Sequence, residues 1–175
     1  MGISSFLVVL CVVIAIIVLK NRRGAQPSKL GRVSVTTTRR ESESTVEPAW
    51  NHNKPPIPNG HQIYSKNLEV AGSHHQRDNV YRLAVAPSPT LSWAKEPTND
   101  HDVNAISING HANGQTFPVG YVDKQTAAFL VMWPEFDELS IRFEKAGYRD
   151  NWVTLTYQIT GPKGLKTEFL EASSK

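Results

Sequence analysis

The sequence predicts a small, mainly β domain with two short helices, a β-barrel in architecture, placed behind a single transmembrane helix. Three observations carry this. Residues 3–19 hold no charged side chain, and every residue from Phe6 to Leu19 is apolar. Residues 21–62 are rich in Ser, Thr, Pro, Asn and charge, with no apolar period of 2 or 3.6. From Ile63 onward, short apolar segments punctuated by Gly, Pro and Asn follow the order β-α-β-β-β-α-β-β.

The seventeen residues Ile3–Leu19 reach ~26 Å as a helix, close to the ~30 Å of a bilayer's hydrocarbon layer. A cleaved signal peptide needs a basic segment before the apolar run and small residues at a cleavage site after it. Both are missing, and Leu10 before Cys11 does not suit a lipoprotein signal. Residues 1–20 are therefore expected to be an uncleaved anchor. Lys20, Arg22 and Arg23 follow the run directly, so the positive-inside rule makes this a single-pass membrane protein with a cytoplasmic C-terminal domain. Residues 21–62 read as a disordered tether, in which Trp50 is the one large aromatic residue.

The domain is expected over 63–162. Leu68 and Val70 alternate before Gly72, as in a short strand ending in a turn. Val80, Leu83 and Ala84 recur at helical spacing behind Asp78 or Asn79 as cap. Leu91 and Trp93 mark a strand that Pro97 ends, and Ala105, Ile106 and Ile108 mark the next, closed by Asn109-Gly110. A strand resumes over Phe117–Val122, and KQTAAFLVM forms a helix through Ala127, Ala128, Leu130 and Val131. Two strands follow, Leu139–Glu144 and Trp152–Thr160, and residues 163–175 read as a tail.

Composition narrows the function. A chain of 175 residues excludes a large multidomain enzyme, and its single cysteine, Cys11, excludes a disulfide scaffold and any zinc site built on several thiolates. No G-x-x-x-x-G-K-[ST], G-x-S-x-G or H-E-x-x-H is present, so no ATPase or hydrolase motif supports an enzyme, and no cofactor is expected. Zinc would have to recruit His and Asp from distant loops. Glu96, Asp100 and Asp102 are the carboxylates that a divalent cation would use, without a second supporting cluster. The formal charge of +3 divides unevenly: residues 1–65 are net +5 and residues 66–175 net −2. The basic character belongs to the membrane-flanking segment, and the domain offers little counterion release to a nucleic acid.

Three blocks stand in order: VAGSHHQRDNVYRL (70–83), EPTNDHDVNAI (96–106) and VGYVDKQTAAFL (119–130). Together they resemble the HIRAN domain, whose pattern runs V-x-G-x-x-x-Y, then E-P-x-N-x-x-D-x-N-A-I/V, then V-G followed by a helix. The resemblance covers residues 66–160. It implies an OB-like β-barrel that holds single-stranded DNA by its 3′-hydroxyl end. On this chain, the resemblance makes Asp102 the acceptor for the terminal hydroxyl and His101 the stacking ring, with Asn99 and Asn104 shaping the loop. It puts His74 and His75 where an Arg-Tyr pair is often found, and Lys124 within reach of a phosphate. The same Asn and Asp residues are the types that cap turns through side-chain to backbone hydrogen bonds.

The expectation is a membrane-tethered module that binds nucleic acid, above all single-stranded DNA ends. The alternative is a non-catalytic scaffold that holds a protein partner at the cytoplasmic membrane face.

Overall fold

Among residues 46–150 and 152–174, those described by the computed structural model, seven strands form two antiparallel sheets. The anchor and most of the tether lie outside the described residues. Within them, no helix is long and apolar enough to cross a membrane. The first sheet runs β1 (Ala49–Asn51), β6 (Ser140–Arg149), β7 (Trp152–Pro162), β2 (His61–Glu69). The second runs β3 (Thr90–Lys95), β4 (Ile106–Ala112), β5 (Gln115–Tyr121). The described residues also form three α-helices: α1 (Arg77–Val85) and α2 (Lys124–Met132), which connect the sheets, and α3 (Lys166–Ser173), which follows β7.

Each element follows from its local pattern. The strand β4 alternates buried Ile106, Ile108, Gly110 and Ala112 with half-buried Ser107, Asn109 and His111, the period of a strand with one face on the core. Helix α1 buries Val80, Leu83 and Ala84 at three- and four-residue spacing. Asp123 caps α2, its side chain accepting from the Thr126 amide at 3.0 Å. The core includes Leu83, Ile106, Ile108, Val119, Leu130, Phe143, Leu155 and Tyr157, each at most 1% exposed.

The two sheets do not close into the expected barrel. Ala71 bridges Tyr121 and so joins the end of β2 to β5, but β3 and the first half of β6 belong to different sheets. Pro55, Pro56 and Pro58 lie between them, around a small cavity with Thr90, Leu91, Ile141 and Phe143. Proline has no amide hydrogen to give a ladder, so this segment fills the seam without stitching it.

Both ends of the domain differ from the sequence expectation. The stretch read as a tether contributes β1, which pairs with β6 through Trp50 opposite Gly147, and the start of β2. Asn51 is buried, and its Nδ2 donates to the Leu83 and Ala86 carbonyls at 2.8 and 2.6 Å, satisfying the C-terminal end of α1. Asn51→Ala is expected to cost about 1–3 kcal/mol, read by chemical denaturation, because the Ala86 carbonyl loses this donor and the Leu83 carbonyl keeps only the Ala86 amide at 3.4 Å. The tail is the helix α3, docked by Phe169, whose ring centroid lies 4.9 to 5.3 Å from Tyr64, Phe129 and Trp133. One buried aromatic side chain, with Leu165 and Ala172 packed beside it, anchors this segment. The β4–β5 hairpin turns at Asn113-Gly114, φ 51° and 74°, rather than at Asn109-Gly110. Both residues adopt the positive φ that a two-residue hairpin turn needs.

Candidate nucleic-acid interface

The loop between β3 and β4 is built from its own polar side chains. The Glu96 amide donates to the Ala105 carbonyl at 2.8 Å and closes the loop's base. Asn99 Oδ1 accepts from the His101 and Asp102 amides at 3.0 and 3.2 Å, and Asn99 Nδ2 donates to Glu96 Oε2 at 2.9 Å. Asp102 Oδ1 accepts from the Asn104 amide at 2.9 Å, and the Ala105 amide bonds the Asp102 carbonyl at 2.9 Å. Asn99 and Asp102 thus cap successive turns, and His101 projects as an exposed ring between them. Among the described residues no donor is placed on Asp102 Oδ2.

Glu96 stands at the foot of this loop. The Asn99 side chain, then Ser107 and Tyr121, hold its carboxyl below the ordinary value against the opposing effect of burial. It is an anion at neutral pH, with the Asn99 side-chain amide donating to it.

His74 and His75 lie in a short 3-10 turn (Ser73–Gln76) that follows Gly72, itself left-handed at φ 75°. Their rings are exposed, with centroids 3.8 Å apart. Beyond them, His75, Gln76, Arg77, Asp78 and Asn79 line a shallow depression. The Arg77 guanidinium donates to the Asp150 carbonyl at the β6–β7 turn and sits 5.6 Å from the Tyr148 ring centroid.

Tyr121 ties these parts together. Its amide and carbonyl pair with those of Ala71 at 2.9 and 2.8 Å, which clamps the start of the His74-His75 turn to the end of β5. Opposite it in the β4–β5 ladder stands Ser107, at the start of the strand that leaves the loop carrying Asp102. The ring is 41% exposed, and Lys124 opens α2 three residues further on, also exposed. The Ala71–Tyr121 bridge leads into the His74-His75 turn, and Ser107, opposite Tyr121 in the β4–β5 ladder, leads back to the Asn99–Asn104 loop. Tyr121 itself is absent from the site that the sequence suggests. Strict alternation from Phe117 and Val119 puts it in the core; a register shift opposite Ile108–Asn109, with Gly120 at φ 140°, turns it outward. A Cβ on Gly120 would stand 2.3 Å from the Ala71 carbonyl oxygen, so the bridge requires glycine there. Among the described residues, no group of three or more His, Cys, Asp or Glu side chains is placed to hold a metal ion.

No protein-family model and no curated protein matches the chain. The fold is similar to the crystal structure of the HIRAN domain of human HLTF, with 16% identity and a TM-score of 0.43, covering 67% of this chain and 93% of that one. It is likewise similar to the NMR structure of the HLTF HIRAN domain, at 16% identity and a TM-score of 0.42, covering 66% and 90%.

Proposed function

We propose that this chain is a membrane-held, HIRAN-like module that binds single-stranded nucleic acid, with a 3′-terminal hydroxyl as the group it reads. What supports the reading is the chain path around the exposed Tyr121: its bridge to Ala71 leads into the turn with the exposed His74 and His75, and its ladder partner Ser107 follows the loop with His101 and a carboxylate fixed by its own turn. Binding a strand end takes a hydrogen-bond acceptor for the hydroxyl, π faces for the bases and a cation for the phosphate. Asp102 Oδ2 is the acceptor, Tyr121 and His101 are the faces, and Lys124 is the cation. The Asn99 turn holds Asp102 in place before any ligand arrives. The apolar run 3–19 holds the module at a membrane, with the domain on the cytoplasmic side.

Fluorescence polarisation of the full chain in detergent, with labelled oligonucleotides bearing a free or a phosphorylated 3′ end, tests this. The free end is expected to bind more tightly. Asp102→Ala is expected to remove that preference, by on the order of tenfold or more for one charge-assisted hydrogen bond. Asp102→Asn, which retains Oδ1 for the Asn104 turn, controls for loop damage. Equal affinity for both ends would sink the reading. A second reading, a scaffold for a protein partner, is favoured by the net −2 of residues 66–175. Recovery of a specific protein by crosslinking, resistant to nuclease and accompanied by no oligonucleotide binding, would establish it instead.

A further inference from the structure

The outer face of β1, β6 and β7 carries aromatic and cationic side chains that the nucleic-acid site does not use. The register Trp50 opposite Gly147 and Arg149 opposite Trp152 puts Trp50, Lys145, Arg149, Trp152 and Thr154 on the side turned away from buried Ala146, Tyr148 and Leu155. Trp50 is 47% exposed and Trp152 51%, with ring centroids 5.4 Å apart. The Trp50 ring lies flat against the sheet, for a Cβ on Gly147 would meet its Cζ3 at 2.5 Å. Lys145 Nζ stands 5.0 Å from the Trp50 ring centroid, and the exposed Arg149 is beside Asp150 at 3.7 Å. Two large apolar rings half in water, rimmed by cations, mark a surface with an occupant.

We propose that this face docks on the anionic surface of the bilayer that anchors the chain, an inference that rests on reading residues 3–19 as a membrane span. Tryptophan, with an apolar body and one polar N–H, is the residue enriched where hydrocarbon meets headgroup. Trp50 lies in the first strand, and residues 20–49, thirty in number, separate that strand's Trp from the apolar run. Thirty residues allow a span of roughly 30 Å, which keeps β1 within reach of the same bilayer. Lys145 and Arg149 complement anionic headgroups, and each basic residue near such a surface multiplies the docked population on the order of fivefold. The face is a membrane-contacting surface that orients the domain.

The test uses the full chain in vesicles of phosphatidylcholine alone or with phosphatidylserine, prepared with brominated acyl chains that quench tryptophan. Flotation after an alkaline wash reports the anchor; quenching reports docking. The expected result is flotation with both lipids, and stronger quenching with phosphatidylserine. Lys145→Gln with Arg149→Gln lowers the docked-to-undocked ratio on the order of thirtyfold, returning quenching to the phosphatidylcholine level. Trp50→Ala with Trp152→Ala removes the phosphatidylserine-dependent part while the chain still floats. Flotation with quenching indifferent to lipid and to both variants overturns the docking surface alone. Loss of the chain from the floated fraction overturns the anchor, and the docking inference with it. Emission that responds to a single-stranded oligonucleotide and not to brominated lipid assigns the face to nucleic acid and overturns the proposal.

Discussion

Gly120→Ala is expected to destabilise the domain by on the order of 3–5 kcal/mol, and to abolish any oligonucleotide binding at temperatures where the fold survives. Two costs combine at this position. The backbone is at φ 140°, a region that side chains rarely enter, and the added carbon would lie 2.3 Å from the Ala71 carbonyl oxygen and 2.7 Å from Val70 Cγ1. The Ala71 oxygen is main chain and accepts the Tyr121 amide, so it cannot move aside without breaking the bridge between the sheets. Gly72 supplies the comparison. It is left-handed at φ 75°, yet a Cβ there meets nothing within 4 Å, so Gly72→Ala carries the conformational term alone, about 1–2 kcal/mol. Thermal unfolding of both variants separates the two contributions. Equal midpoints would show that the close approach at Gly120 relaxes freely, and the bridge would lose its place as the element that sets the site.

What the sequence exposes and what it hides divide by distance along the chain. The Asx turns at Asn99 and Asp102 close over two or three residues, so residue type and spacing announce them. Helix α2 has its cap and its apolar spacing within one segment, and it spans the residues 124–132 read from the pattern. The six strands β2 to β7 are legible in order for the same reason, and β1 is not. The parts that escaped depend on remote partners. Asn51 sits in a Pro- and Asn-rich stretch that reads as linker, and its meaning comes from carbonyls 32 and 35 residues away. Tyr121 turns outward because one extra residue in β5 shifts the face, a change that alternation counted from Phe117 does not register. The open seam depends on which edges Pro55, Pro56 and Pro58 come to rest between. Trp50 is a lone aromatic in sequence, and only the pairing of β1 with β6 sets it beside Trp152.

Glu144→Ala is expected to cost about 2–4 kcal/mol, because this carboxylate is the knot that attaches the proline segment to the first sheet. Glu144 is 5% exposed; Lys54 Nζ and Gln158 Nε2 donate to its Oε1 at 2.9 and 2.7 Å, and the Asn67 amide to its Oε2 at 2.6 Å. Arg142 extends the network to Gln158 and to the Pro55 carbonyl. Alanine leaves the buried Gln158 amide and the Asn67 N–H without their acceptor, while Lys54, partly exposed, turns to water. Burial alone would raise the Glu144 carboxyl, but the donors from Lys54, Asn67 and Gln158 outweigh it and hold the group below its ordinary value of 4.5. The folded state therefore binds the proton less readily than the unfolded chain. The contribution is complete above pH ~4.5 and declines as the pH falls through the lower, folded value. Glu96 is depressed as well and acts in the same direction, so Glu144→Gln isolates the knot: it keeps the shape and one acceptor oxygen while losing the titration. Denaturant midpoints measured between pH 7 and pH 3 are expected to fall less steeply in Glu144→Gln than in the wild type. Parallel curves would place the acid sensitivity elsewhere and leave the proline segment held by packing alone.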